Sequence, residues 1–271
     1  MTVLVDTMEL VSRLKAADEA FVLATVVRTV SVTAAKAGAK AVIRPDGRIV
    51  AGWIGGGCAR GAVLRAAREA LADGEPRLVS VRPENLLAEL GVQPGENRDG
   101  VRFAENMCPS KGTMDIFIEP VLPRPSLVIL GASPVAMALA EQAPRFGFHV
   151  TLAAPVGDLA DAPDADALID GYRLDQLGAA RRRFIVVSTQ GKGDEAALRA
   201  ALAVDAAYCA FVGSRRKMES LRQKLLADGV DAAVLDRVKA PAGLDLGAIT
   251  SEEIGLSILA EIIRERRGGR R

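Results

Sequence analysis

Apolar positions in the first 125 residues change period several times. Val11, Leu14 and Ala17 recur at helical spacing, which predicts a helix near residues 6–17. The segment AFVLATVVRTV is an almost unbroken apolar, β-branched run and reads as a buried strand. KAVIRPDGRIVAGW places two β-branched runs around Pro45-Asp46-Gly47, the composition of a hairpin. After Trp53 the stretch ARGAVLRAAREALADG returns to helical spacing and closes on Gly74, a residue suited to a left-handed C-cap. RLVSV and MDIFIEPV predict further strands. Between them, residues 82–114 are rich in Gly, Asn, Pro and charge and read as one long functional loop.

The second half has a steadier rhythm. SLVILGAS, FHVTLAAP, RRRFIVVSTQG and AYCAFVG predict strands, and PVAMALAEQAPRFG, DEAALRAALAV and SRRKMESLRQKLLADG predict helices between and after them. Such alternation implies a parallel sheet with helices on both faces. APVGDLADAPDADALID, rich in Ala and Asp, reads as a surface loop. TSEEIGLSILAEIIRERR opens with Thr250 and Glu253 at capping-box spacing. Pro120, Pro123 and Pro125 cannot sit together in a helix or central strand and suggest a linker. The expected fold is therefore α/β, with a Rossmann-like domain over 126–271. A smaller mixed α/β domain over 1–119 precedes it, joined by a proline-rich linker over 120–125.

Composition narrows the function classes. Apolar residues make up 49% of the 271 and charged residues 25%, the profile of a globular domain. Basic and acidic residues number 35 and 34, so no global field recruits nucleic acid or a membrane surface. At 4% aromatic content, stacking platforms for single strands are not expected. The acidic residues near the N-terminus do not fit a signal peptide, and no uncharged stretch approaches membrane-spanning length. Three widely spaced cysteines argue for a reducing cytoplasm rather than a disulfide framework.

Candidate chemistry gathers at four turns and one loop. Gly55, Gly56 and Gly57 precede Cys58 where a strand feeds a helix. Backbone N–H groups there can cradle an anion and lower a thiol's pKa, whereas a simple tight turn needs only one glycine. Cys108 lies in the long loop near Lys111, either as a thiolate beside an ammonium or as a packed loop residue. The turn LVILGASPVAMALA keeps Gly131 and Ala136 of a dinucleotide fingerprint but has Ser133 at the middle glycine. The second strand then ends Ala153-Ala154-Pro155, without the acidic residue that would bind a ribose. Thr189 and Gln190 follow the third strand, where open α/β sheets take ligands. Gly213, Ser214 and Arg215 open the last strand-to-helix turn, as an anion site or as a plain cap with a solvated basic face. His149 is the one histidine and reads as a strand residue, so no Ser-His-Asp set with a second histidine exists. Cys209, within an apolar run, reads as core, and the cysteine spacing fits no zinc site.

Five ordered blocks together resemble the XdhC/CoxI family of molybdenum-cofactor accessory proteins: residues 24–63, CPSKGTMDIFIEPVLP, LVILGASPVAMALA, AYCAFVGSRRKMESL and APAGLDLGAITSEEIGLSILAEII. The GASPVA and NMCPSKGTMDIFIEP versions look closest to the CoxF-like branch that accompanies carbon monoxide dehydrogenase-type enzymes. The resemblance implies a protein that binds molybdopterin or its cytosine dinucleotide form and shields it. It further implies help in sulfuration by a cysteine desulfurase, delivery to an apo-molybdenum hydroxylase, and a homodimer. The family's glycine turn and its two cysteines map onto Gly55, Gly56, Gly57, Cys58 and Cys108, with Cys58 a candidate neighbour of molybdenum. Two departures stand out. Relatives often carry Thr-His-Gly where this chain has Thr189-Gln190-Gly191, and Gly-x-Gly-x-x-Gly where it has Gly131 to Ala136. The rival readings are a nucleotide-dependent oxidoreductase and a cysteine-based sulfur carrier.

Overall fold

A computed structural model describes residues 6–109, 111–178 and 182–268 and leaves out the side chain of Cys58. The chain folds as two compact units, Met1–Pro123 and Arg124–Arg271. No helix among the described residues is long and apolar enough to cross a membrane.

The first unit runs α1 (Thr7–Ala16), β1 (Phe21–Val30), β2 (Lys40–Ile43), β3 (Ile49–Gly52), α2 (Gly57–Asp73), β4 (Arg77–Arg82), α3 (Glu84–Leu90), β5 (Asn97–Arg98), β6 (Val101–Glu105) and β7 (Thr113–Val121). Its seven strands form one sheet in the order β3-β2-β1-β7-β4-β6-β5. Pairing is antiparallel except between β4 and β6. Alternation along the strands sorts the side chains between two faces. Val22, Ala24 and Val26 join Ile116 and Ile118 under α2, whose Ala62, Ala66 and Ala70 let the helix lie close to the sheet. Phe21, one residue out of phase, turns to the other face and meets Val11 and Leu14 of α1. Each such fully buried aliphatic or aromatic side chain contributes about 1.5–3 kcal/mol of transfer free energy. Gly74 ends α2 in the left-handed conformation at φ 77°, as its place in the sequence predicts.

The second unit runs β8 (Ser126–Leu130), α4 (Pro134–Gln142), β9 (His149–Ala154), β10 (Ala167–Asp170), β11 (Arg183–Val187), α5 (Asp194–Leu202), β12 (Tyr208–Phe211), α6 (Arg215–Ala227), α7 (Ala232–Leu235), β13 (Val238–Lys239) and α8 (Ser251–Arg267). All six strands are parallel, in the order β10-β9-β8-β11-β12-β13. Leu127 and Ile129 face α4 and α8, while Val128 and Leu130 face α5 and α6. This is the expected Rossmann-like sheet with helices on both faces. Strand order reverses between β8 and β11, which opens a crevice beyond their C-terminal ends.

Three expectations need correction. Residues 82–114 are not one loop, because α3, β5 and β6 lie within them. α3 has seven residues and a single buried one, Leu87, too few to show a period, and β6 pairs along its whole length with the distant β4 but over only two residues with its neighbour β5. The Ala/Asp-rich surface loop contains β10, an edge strand whose four residues rely on β9 for their pairing. Pro120 stands inside β7, opposite Val22 of β1, but beyond Ile118, where the ladder to β4 ends. A missing N–H is tolerated where no second partner strand waits for it.

One carboxylate fastens the end of the second sheet. Glu261 of α8 is fully buried. It accepts hydrogen bonds from the Tyr208 hydroxyl (2.6 Å) and the Gly243 N–H (2.9 Å). The Lys239 ammonium pairs with its other oxygen. Burial alone would raise the Glu261 pKa, but Lys239, Tyr208 and Gly243 hold it below the usual carboxylate range. Stability from such a lowered pKa is complete above the unfolded value of about 4.3 and is lost as pH falls through the folded one. Glu261→Gln is expected to cost about 3 kcal/mol in urea unfolding at neutral pH and to flatten the acid limb of stability against pH. An unchanged acid limb would mean that another group sets it.

Candidate functional site

In the first unit, the sequence-predicted glycines surround the start of α2. Gly55 adopts φ 110°, and a Cβ there would meet the Met114 methyl at 3.1 Å. Gly55 therefore serves both the turn and the packing. Around Gly56 and Gly57 a Cβ would meet nothing within 4 Å, so open space lies before the helix. Gly56 is the N-cap and supplies no side-chain hydrogen bond, and the first turn carries no acidic residue.

Other long helices close this end themselves. Asp6, Ser133, Ser214 and Thr250 cap α1, α4, α6 and α8 with their side chains. α5 lacks a side-chain cap but opens with Asp194 and Glu195. α2 alone among the described helices of eight residues or more has neither device, so its N–H groups and positive dipole end remain available to an anion.

Cys108 reaches this place from elsewhere in the chain. A small cavity of about 50 Å³ is lined by Gly56, Ala59, Val81, Asn106, Cys108, Gly112 and Met114, with Thr33 and Ala34. Gly57 opens instead onto a groove of about 480 Å³, lined also by Gly61, Arg65, Glu105 and Met107. Cys108 is exposed. The backbone of Cys58 occupies the first turn of α2, and its side chain lies outside the described residues. Lys111 is exposed and has a left-handed backbone at φ 49°, with its N–H donating to the Cys108 carbonyl (3.0 Å).

Sequence reasoning missed Asn106. Its side-chain oxygen accepts from the Cys108 N–H (3.0 Å), and its amide donates to the Gly112 carbonyl (2.6 Å). Its own N–H donates to the Arg82 carbonyl (2.7 Å). Its side chain thus ties the two ends of the cysteine loop together, and its backbone N–H ties them to the end of β4. A sequence signal existed in principle, since asparagine two residues before a loop cysteine is a common Asx-turn former.

In the second unit, the predicted residues gather at the crevice between β8 and β11, but many of their contacts are internal. A Cβ on Gly131 would stand 2.3 Å from the Ser188 carbonyl oxygen, so this glycine admits a neighbouring strand end. The Ser133 hydroxyl accepts from the Ala136 N–H (3.1 Å) and shares a hydrogen bond with Ser188 (2.7 Å). It fills the place where a dinucleotide's pyrophosphate would meet the helix. Thr189 donates to Asp194, which also accepts from the Gly191 N–H (3.0 Å) and pairs with Lys217 (2.6 Å). Gln190 has φ 51° at the rim. Gly213 leaves room for the Phe211 ring, 2.4 Å from where a Cβ would stand. Ser214 caps α6 by accepting from the Lys217 N–H (3.2 Å). Arg215 is exposed at the first turn of α6, while Lys217 turns inward to Asp194. Cys209 is half-buried beside a cavity of about 270 Å³, and burial pushes its thiol pKa up to about 11.

Burial would raise the Asp194 pKa, but the Lys217 ammonium, the Thr189 hydroxyl and the Gly191 N–H hold it low. Its contribution should be complete above pH 4 or so and fade as pH falls. Asp194→Asn is expected to cost about 2 kcal/mol at neutral pH. Asn106→Ala is expected to cost about 1–2 kcal/mol and to speed hydrogen exchange at Cys108. Unchanged exchange there would show that Asn106 does not organise the loop.

Comparison with known proteins bears on both units. The model described as the XdhC and CoxI family matches residues 14–82, and that described as the XdhC Rossmann domain matches 127–262. The first span includes the Gly55–Cys58 turn, whereas Cys108 and Lys111 fall between the two. An uncharacterized protein of Escherichia coli, YqeB, is 30% identical over 233 residues, covering 83% of this chain and 40% of that one. A probable xanthine dehydrogenase subunit of Bacillus subtilis is 28% identical over 166 residues, covering 57% of this chain and 47% of its own length. The chain thus spans less than half the length of these curated relatives. A crystal structure described as a xanthine dehydrogenase from Bacillus halodurans is 21% identical with a TM-score of 0.46, covering 97% of this chain and 96% of that one.

Proposed function

The chain belongs to the XdhC and CoxI family, and on that premise we propose that it is a maturation factor for a molybdenum hydroxylase of the xanthine or carbon monoxide dehydrogenase type. In this reading it binds molybdenum cofactor as cargo, as molybdopterin or its cytosine dinucleotide form. It protects the cofactor during sulfuration with a cysteine desulfurase and hands it to the apo-enzyme. It works in the cytoplasm as a homodimer.

The observation that carries the reading is the uncapped start of α2, which shares a cavity wall with Cys108. The cargo combines a phosphate with a soft metal–sulfur centre. Free N–H groups around Gly56 and Gly57 suit the phosphate, and thiols suit the metal–sulfur centre. The 50 Å³ cavity is too small for a pterin, but the adjoining 480 Å³ groove offers room for a ring system. Gly57 and Arg65 line that groove. Asn106 holds Cys108 at the cavity, so this residue is a positioning residue for the thiol.

The oxidoreductase reading is weaker on this geometry. Ser133 occupies the start of α4, and β9 ends at Ala154 with no acidic residue for a ribose. The sulfur-carrier reading keeps one favourable observation, the exposure of Cys108. A persulfide on that thiol after desulfurase treatment would appear in intact mass as one added sulfur.

The decisive test is Gly56→Asp. This N-cap has extended backbone, φ −87° and ψ −166°, and room for a side chain. An aspartate would cap α2 and place a negative charge where the phosphate is proposed to bind. Stability is expected to rise by about 0.5 kcal/mol, while bound pterin, oxidised to its fluorescent form after purification, falls roughly tenfold. Cys108→Ala and Cys58→Ala are expected to keep the fold and lower pterin retention. Absence of pterin from the wild-type protein purified from a cofactor-producing host would end the cofactor reading.

A further inference from the structure

The groove beside the start of α2 has two features that neither a phosphate at Gly56 nor a thiol at Cys108 explains. The first is Gly61, inside α2. A Cβ there would meet only the tip of Arg65, at 3.8 Å, an ordinary contact. Alanine would therefore fit and would favour the helix, so packing within the protein gives no reason for glycine. Gly57, Gly61 and Arg65 are spaced four apart, share one face of α2 and line the groove over about 12 Å of the helix axis. With no side chains at 57 and 61, a ligand can lie directly against the helix backbone.

The second feature is an open strand edge at Glu105, the last residue of β6. Side chains alternate along this strand. Ala104 packs under α2, Phe103 turns to Leu87 of α3, and Glu105 has the parity of Phe103. The backbone of Glu105, rather than its carboxylate, therefore meets the groove. Backbone groups alternate as well. The Phe103 N–H and carbonyl bond to Glu96 and Gly95 (2.9 and 2.8 Å), whereas the Asn106 N–H bonds to Arg82 on the β4 side (2.7 Å). The Glu105 N–H and carbonyl thus point away from β4, toward the chain at Gln93 and Pro94. The ladder stops there. Pro94 has no N–H to donate, and the Gln93 N–H already donates to Glu96 Oε2 (2.8 Å). The Gln93 carbonyl accepts from the Glu96 N–H (3.0 Å). Among the described residues, the Glu105 N–H and carbonyl have no hydrogen-bond partner.

Resting on the reading that the cargo is molybdenum cofactor, we propose that this groove takes the pterin ring. The Glu105 N–H and carbonyl read its polar edge, and Gly57 and Gly61 form its floor. In an extended residue these two groups point the same way, one donor beside one acceptor. A 2-amino-4-oxo pterin presents the complement, a ring N–H beside the oxo group and a ring nitrogen beside the amino group. The groove, at about 480 Å³, is within the roughly 300–1,000 Å³ of small-molecule sites. Arg65, exposed on α2, bounds the far end of the floor.

The test uses free pterin, which has no phosphate, dithiolene or metal and so reads the groove apart from the rest of the cofactor site. The Glu105 backbone amide is followed by nuclear magnetic resonance as pterin is added to the full chain. Its signal is expected to shift along a saturating curve. 1,3-Dimethyllumazine, which keeps both rings but has no N–H, is expected to bind roughly tenfold more weakly. Gly61→Leu, which places a side chain on the floor while favouring the helix, is expected to weaken pterin binding roughly tenfold without lowering the unfolding temperature. An unmoved Glu105 amide, equal affinity for dimethyllumazine, or unchanged pterin binding by Gly61→Leu would overturn the proposal. Cofactor that copurifies with the chain while free pterin leaves Glu105 unmoved would refute the groove and keep the cargo reading. Saturable pterin binding by a chain that never retains cofactor would do the reverse.

Discussion

Burying a carboxylate is unfavourable unless hydrogen bonds and opposite charge replace its water, and three such groups organise this protein. Asp115 joins the three middle strands of the first sheet through Arg28 and Ser80. Asp194 ties the turn after β11 to α6 through Thr189, Gly191 and Lys217. Glu261 fastens α8 to β12 and to the segment around Gly243. The apolar layers decide that the sheets form. The acids decide where particular strand ends and turns are held, because each has only one set of partners that satisfies it.

The same accounting of polar groups separates the two glycine-rich turns. At Gly131 the absent side chain admits the Ser188 carbonyl, and Ser133 satisfies the start of α4. At Gly56 and Gly57 the absent side chains leave open space, and no side chain among the described residues caps the start of α2. Two turns that look alike in sequence thus differ in what their backbones still lack. The turn with unmet donors is the one that can gain from a ligand.

Much of the fold was legible because its signals are local. The β2–β3 hairpin, the C-cap at Gly74 and the Thr250–Glu253 capping box each depend on residues close in sequence. The strand–helix rhythm after residue 126 likewise announced the parallel sheet. What escaped was non-local. β6 pairs along its whole length with the distant β4, β10 is a strand through its pairing with β9, and Pro120 fits β7 because one neighbouring ladder has already ended. At the site, the glycine turn was visible from its composition. Asn106 was not, because its role appears only once Cys108, Gly112 and the end of β4 are brought together.

The replacement of a middle glycine by Ser133 has a consequence beyond one helix. A serine cap contributes about 1 kcal/mol, and a ligand phosphate would have to displace it before reaching the same N–H groups. α2 imposes no such competition, since Gly56 offers no side-chain oxygen. An anion of equal charge therefore gains more at α2 than at α4, even though α4 sits at the switch point where Rossmann-like sheets usually bind. The chain has kept the sheet order of a nucleotide-binding unit while satisfying its phosphate end internally. The unmet donors lie instead in the first unit, at the start of a helix whose cavity also contains a loop thiol.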